Sequence, residues 1–173
     1  MKYFRQLPAW IGLCLLPLLC GCGIYSLSGA TITGKTLNIH NLENRALNVA
    51  PTLSTVLTDK LRNRILSQTG LAAVNTDNAD YDMKGAVVSY TVSYSGVQTG
   101  SNGVPQSSTN RLTVTVEIDF RNRLDDKASF KQSFSRFYDF DAQLQLQAIE
   151  AAAIEDIGNQ IADDIFNKAF VNW

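Results

Sequence analysis

The chain has 173 residues, of which 45% are apolar and 18% charged, a composition suited to about one globular domain and too apolar for a disordered chain. Fifteen Lys and Arg face 16 Asp and Glu, a net charge of −1, so the basic excess of a nucleic-acid binder is missing and no nucleic-acid partner is expected. His40 is the single histidine. Any Ser-His-Asp or Cys-His centre would have to use it, and a multi-His metal site is excluded. An enzyme is therefore the weaker expectation.

The chain opens with two cations, Lys2 and Arg5, followed by the apolar run LPAWIGLCLLPLLC at 7–20. The run contains Pro8 and Pro17 and falls short of the ~20 residues of a membrane-spanning helix. Residues 1–21 therefore read as a signal peptide. Leu19-Cys20-Gly21-Cys22 resembles the lipobox of bacterial lipoproteins, in which a Leu and two small residues precede the Cys that is lipidated and becomes the new N-terminus. The resemblance assigns the diacylglyceryl and acyl (palmitate-type) chains to Cys22. Several chains anchor a protein stably where one does not. Gly23 follows where inner-membrane lipoproteins usually carry Asp, so the resemblance implies the outer membrane. A signal peptide cut elsewhere, or an uncleaved anchor, is the alternative. Cleavage would remove Cys14 and Cys20 and consume Cys22, leaving no disulfide and no Cys metal site in an oxidising compartment. It would also remove Lys2 and Arg5, leaving 13 basic against 16 acidic residues, a net charge of −3.

Residues 22–34 are small and polar with few charges and read as a lipidated tether, kept pliable by Gly29 and Gly34 and packing through Ile24, Tyr25 and Leu27. The domain proper is expected over 35–173. TLNIHNL at 36–42 alternates as a strand, with His40 on the polar phase. A solvated or hydrogen-bonded role suits His40 better than general-base work, because no carboxylate lies close in sequence to orient it. Residues 51–69 change period: Leu53, Val56, Leu57, Leu61 and Ile65 form the apolar face of a helix that opens at Pro51, carries Arg62 and Arg64 toward its end and stops at Gly70. LAAVNT at 71–76 reads as a short strand. The turn Asp77-Asn78-Ala79-Asp80 lacks the carboxylate spacing of a Ca²⁺ loop and reads as structural.

The centre of the chain is a β-hairpin. Val88, Tyr90, Val92 and Tyr94 alternate with Ser89, Thr91 and Ser93 over 84–94, and Leu112, Val114, Val116, Ile118 and Phe120 alternate with polar residues over 111–121. The connection 95–107 is rich in Gly and Ser and, at about 13 residues, is long for a hairpin; it is either a functional loop or a disordered tip. A third strand is expected over 128–138, after a turn in which Asp125 and Asp126 read as solvated. A long helix is expected over 142–170, with Asp141 as N-cap. Its apolar stripe is Leu146, Ile149, Ala153, Ile157, Ile161 and Ile165, Gly158 is costly within it, and Trp173 beyond its end is a core plug or an interface anchor. Two helices with one apolar face each cover one face of a mixed sheet, an α/β two-layer sandwich. The other sheet face is left uncovered, polar and weakly charged.

These segments, taken in order, resemble the LptE family of lipopolysaccharide-assembly lipoproteins. The resemblance is carried by Cys22, TLNIHNLEN (36–44), PTLSTVLTDKLRNRI (51–65), TGL (69–71), NRLTVTVEIDFRN (110–122), SFSRFYDFD (133–141) and DIFNKAFVNW (164–173). It implies a four-stranded sheet with two helices on one side. It also implies a plug inside the outer-membrane β-barrel LptD, assisting barrel assembly and moving lipopolysaccharide to the outer leaflet without a cofactor or covalent chemistry. The family offers no catalytic motif to carry over. Phosphates suit Arg and Lys, and Arg111, Arg121 and Lys131 share the polar phase of neighbouring strands, with Arg123 at a strand end. These four are the candidate lipopolysaccharide or anion contacts. The alternative is that Arg111 and Arg121 merely offset Glu117 and Asp119. A periplasm-facing lipoprotein that binds a lipid or a transporter subunit without a barrel is the rival function.

Overall fold

The computed structural model describes residues 32–47, 50–99 and 105–171. The signal peptide, Cys22, the tether before Ile32, and Trp173 lie outside these residues. Six strands and two α-helices are present among the described residues: β1 (Thr36–Ile39), β2 (Glu43–Asn44), α1 (Leu53–Gln68), β3 (Ala72–Ala73), β4 (Tyr81–Thr99), β5 (Pro105–Asn122), β6 (Phe130–Asp141) and α2 (Leu146–Phe170). The sheet runs β3-β1-β4-β5-β6, and β2 also pairs with β4. The β1–β3, β1–β4 and β2–β4 pairs are parallel, whereas β4–β5–β6 is an antiparallel meander. The α/β sandwich thus stands, but with six strands rather than four. Of the two-residue strands, β3 falls inside the short strand expected over 71–76, whereas β2 is too short to show any alternation in sequence.

β5 is the middle strand of the antiparallel meander, between β4 and β6. Leu112, Val114, Val116, Ile118 and Phe120 are fully buried under the helices. Each helix offers a stripe to meet them. Leu53, Leu57, Leu61 and Ile65 line α1 at four-residue spacing, and Ile154, Ile157, Ile161, Ile165, Phe166 and Phe170 widen the expected stripe of α2 so that it serves both the sheet and α1. Tyr81, Phe120, Phe130 and Phe170 close one end of the core as a ring cluster, with centroid separations of 5.3 to 6.0 Å. Thr58 is a buried hydroxyl with both roles filled: it donates to the Ser54 carbonyl at 2.7 Å and accepts the Leu42 N–H at 3.0 Å. That bond draws the chain away from β1 and ends the strand sooner than 42.

Several expected boundaries move for identifiable reasons. In β4 the register skips between Val87 and Ser89. Val87 is buried against Val116, and the inserted Val88 is exposed, so the alternation expected to start at Val88 changes phase at this bulge. Further bulges at 94–97 hide the continuing ladder, which runs on to Thr99 opposite Pro105. Most of the loop expected over 95–107 is therefore strand, and residues 100–104 lie outside the described residues. Helix α2 begins at Leu146 rather than 142, with Gln145 as N-cap. Asp141 instead closes the preceding turn by accepting the Gln143 N–H at 2.8 Å. Helix α1 ends at an extended Thr69, whose hydroxyl donates to the Ile65 carbonyl at 2.8 Å, one residue before Gly70.

Two glycines have opposite meanings. A Cβ at Gly85 would stand 2.6 Å from the Glu117 carbonyl oxygen and 2.7 Å from Ile118 Cδ1, so this strand position needs hydrogen there. A Cβ at Gly158 would meet Lys60 Cγ at 3.4 Å and Leu57 Cδ2 at 3.5 Å, which is ordinary contact. Gly34, expected as a pliable link, is packed: its N–H donates to the Tyr81 hydroxyl at 3.0 Å, and a Cβ would sit 2.4 Å from that ring.

Denaturant unfolding should therefore show Gly85→Ala destabilising by about 1–3 kcal/mol, and Gly158→Ala stabilising by about 0.5–1 kcal/mol.

A second expectation concerns acid. Asp80 latches the start of β1 by accepting N–H bonds from Lys35 at 2.7 Å and Thr36 at 3.0 Å, plus the Thr36 hydroxyl at 3.0 Å. These bonds, the Lys35 N–H foremost, hold its carboxyl below the ordinary 3.8. A carboxyl depressed in the folded state stabilises fully above its unfolded value and loses that contribution as pH falls through the folded one. Melting curves below pH 4 (roughly the unfolded value) should lose part of their pH dependence in Asp80→Asn. An unchanged acid limb would contradict the latch.

Candidate functional site

The helices leave one sheet face open, and the polar residues of β4, β5 and β6 stand on it. Their charges pair across strands. Arg111 makes a two-pronged bond to Asp139, Nε to Oδ1 at 2.7 Å and Nη2 to Oδ2 at 2.8 Å, and its guanidinium lies 3.7 Å over the centre of the Phe137 ring. That bond raises the Arg111 pKa and holds the Asp139 carboxyl below its usual range. Lys131 Nζ stands 3.1 Å from Glu117 Oε1, and Arg121 Nε stands 3.7 Å from Asp119 Oδ1. Between these pairs the face is hydroxylated, as where Thr115 and Ser135 share a 3.0 Å hydrogen bond.

The four candidate anion contacts do not make one cluster. Arg121 and Lys131 flank Asp119, which pairs in register with Lys131. Arg111 is ten residues from Arg121 along β5, about 33 Å at strand rise. Arg123 donates to the Asp77 carbonyl and so braces the turn between β3 and β4. The expected offset of Arg111 and Arg121 by Glu117 and Asp119 is thus half right in its pairing: Arg121 goes to Asp119, but Arg111 goes to Asp139 and Glu117 goes to Lys131. Beside the Lys131 pair, a groove of about 520 Å³ is walled by His40, Glu43 and Arg45 on one side and Glu117, Asp119 and Lys131 on the other, with Gly85 and Ala86 in its floor.

Sequence reasoning found no carboxylate for His40, yet Asp82 supplies one from the neighbouring strand. His40 Nε2 lies 2.9 Å from Asp82 Oδ1, and the Asn38 amide donates to that oxygen at 3.0 Å. Parallel pairing places Asn38 opposite Asp82. No local signal could show this, because the two residues are 44 positions apart. The Asp125 carboxylate, by contrast, accepts the Lys127 N–H at 3.1 Å within its own turn, and both Asp125 and Asp126 are exposed, as that turn implied.

The hairpin end differs from the rest. Val92 and Tyr94 follow Tyr90 on the inward phase but project past the helices, and are 45% and 82% exposed. Tyr90 itself donates to Glu150 Oε1 at 2.5 Å; burial first, then that carboxylate, pushes its phenol pKa up. No helix among the described residues is long and apolar enough to cross a membrane.

The chain thus folds as an α/β sandwich with one sheet face open and Arg111, Arg121 and Lys131 paired to carboxylates across it. Residues 34–169 match the model of the family described as LptE, lipopolysaccharide-assembly. The chain belongs to the LptE family. No curated protein sequence matches it. The chain is similar to solved structures at low identity. Protein CT253 of Chlamydia trachomatis is 6% identical with a TM-score of 0.51, over 78% of this chain and 95% of that one. Protein XCC0632 of Xanthomonas campestris is 15% identical with a TM-score of 0.50, over 76% and 81%. A minor lipoprotein of Acinetobacter baumannii is 17% identical with a TM-score of 0.47, over 81% and 98%.

Thermal melts should separate the pairs on the open face. Arg121→Ala removes a long, exposed pair and should leave stability within about 0.5 kcal/mol of the parent. Arg111→Ala, which loses a two-pronged bond and a ring contact, should lower the melting temperature more. Equal shifts would contradict the difference in geometry.

Proposed function

We propose that this protein is an outer-membrane lipoprotein, anchored through lipid on Cys22, that plugs and helps assemble an LptD-like β-barrel and with it inserts lipopolysaccharide into the outer leaflet. The family match across nearly the whole described body carries this reading. The geometry supports it in two ways. A face of hydroxyls and neutralised charge suits the polar wall of a barrel lumen, and the hairpin end offers Val92 and Tyr94 as apolar contact beyond the core. No covalent step and no cofactor are assigned.

Arg121 and Lys131 are assigned to lipopolysaccharide phosphate, with Arg123 at the same end of β5 and Arg111 as a separate contact. The present partners of Arg121 and Lys131 are the half-exposed carboxylates Asp119 and Glu117, and exchanging one solvent-accessible anion for another costs little. The charges would then serve as a keyed anion surface and not as a sink of stability.

A C-terminally tagged protein, extracted from outer membranes in mild detergent, should co-purify with a stoichiometric large β-barrel, and the complex should survive high salt that screens surface ion pairs. The double variant Arg121→Ala, Lys131→Ala should keep the barrel but bind lipopolysaccharide more weakly. Recovery of the protein alone, or with an inner-membrane transporter, would overturn the plug in favour of a free-standing binding module.

A further inference from the structure

The lone histidine and the acidic turn, 37 positions apart in sequence, meet at the junction of β1 and β4. A ring nitrogen of His40, a carboxylate oxygen of Asp77 and one of Asp82 all lie within 4.8 Å of one another. Each is delivered by a different piece of the fold. His40 follows β1 and is tied to β4 by its N–H bond to the Met83 carbonyl at 3.0 Å. Asp82 belongs to β4. Asp77 stands in the turn that Arg123 braces.

We propose that His40, Asp77 and Asp82 form a binding site for a divalent cation of the zinc class, with one imidazole and two carboxylates as protein ligands and water in the open position. The chemistry of the set fits: borderline cations take mixed nitrogen and oxygen donors, and two carboxylates balance a dication. Ligand bonds of about 2.0–2.1 Å set tetrahedral ligands roughly 3.3 Å apart. The 2.9 Å between His40 Nε2 and Asp82 Oδ1 needs to open by only a few tenths of an ångström to meet that.

The surroundings also suit a metal. Asp82 is 4% exposed, and the Asn38 amide nitrogen lies beside both ligand atoms, 3.0 Å from Asp82 Oδ1 and 2.9 Å from His40 Nε2, so that it fixes the pair and leaves an ion to enter from their other side. Its second oxygen faces Lys84 Nζ at 3.8 Å, beyond hydrogen-bond reach. The Lys84 side chain is 56% exposed and free to turn to water. Arg121 is opposite Asp82 in register, but its guanidinium is directed to Asp119. Asp77 is exposed and gives the ion a path in from solvent. Filled, the site would clip the turn before β4 to the end of β1, next to the Asp80 latch, and stiffen one wall of the groove.

The test uses the full-length protein without a histidine tag, stripped with a chelator and titrated with Zn²⁺ against a chromogenic indicator. One Zn²⁺ should bind per chain in the micromolar range or tighter, and it should raise the melting temperature. Asp77→Asn and His40→Gln should each weaken binding by roughly tenfold or more and abolish the thermal gain. Asp77 is exposed in a turn, so its variant folds whatever becomes of the buried Asp82. A wild-type chain that fails to bind at millimolar zinc, or either variant binding as tightly as wild type, would overturn the site.

Discussion

Leu112, Val114, Val116, Ile118 and Phe120 are every second residue of one uninterrupted strand, and all five are fully buried. At about 1.5–3 kcal/mol each, their burial is worth on the order of 10 kcal/mol, comparable with the whole net stability of a domain. A slip of one residue would send that set to solvent and bring Arg111, Glu117, Asp119 and Arg121 under the helices. The register of β5 is therefore the constraint from which the rest follows. It decides which face of β4 and β6 carries the core, where α1 and α2 dock, and which face stays open. β4 meets the constraint only by inserting Val88, since its own alternation is one residue out of step along its length.

The open face is the functional consequence. Because the helices sit on one side, the other, in the proposed plug, must stay soluble before a barrel arrives and yet be able to pack against it. Paired charges and hydroxyls answer both demands. Arg111–Asp139, Lys131–Glu117 and Arg121–Asp119 leave little net field, while threonines and serines between them bond equally well to water or to a protein wall. The hairpin carries a different chemistry past the helices, with Tyr94 and Val92 exposed. One molecule thus offers a polar surface and an apolar projection from the same pair of strands.

How legible this was in sequence varied with the range of the interaction. The stripes of α1 and α2 and the alternation of β5 are local patterns, and the structure bears them out nearly residue for residue. The two-residue strand β2, the bulge at Val88 and the continuation of the hairpin to Thr99 depend on pairing with a distant strand, so neither period nor composition could show them, whereas β3 falls within the short strand expected over 71–76. The same holds for the site. Arg111, Arg121 and Lys131 could be placed on one face by counting in twos, but not their partners, because Asp139 lies 28 positions from Arg111. His40 read as a residue without a carboxylate because Asp82 reaches it through parallel pairing. Loss of helix at 142–145 came from a competing turn closed by Asp141, a choice that local propensity leaves open.

The claim that the open face meets the barrel has a direct test, since lipidation would leave no free cysteine in the mature chain. Ser133→Cys and Thr91→Cys place single thiols on opposite sides of that face, and Ala152→Cys places one on the exposed side of α2. Maleimide labelling is then measured for the free protein and for the protein in outer membranes. The account predicts that all three label in the free protein and that the two sheet positions become strongly protected in the membrane complex while Ala152→Cys stays reactive. Sheet-face thiols that react equally in both states would contradict it.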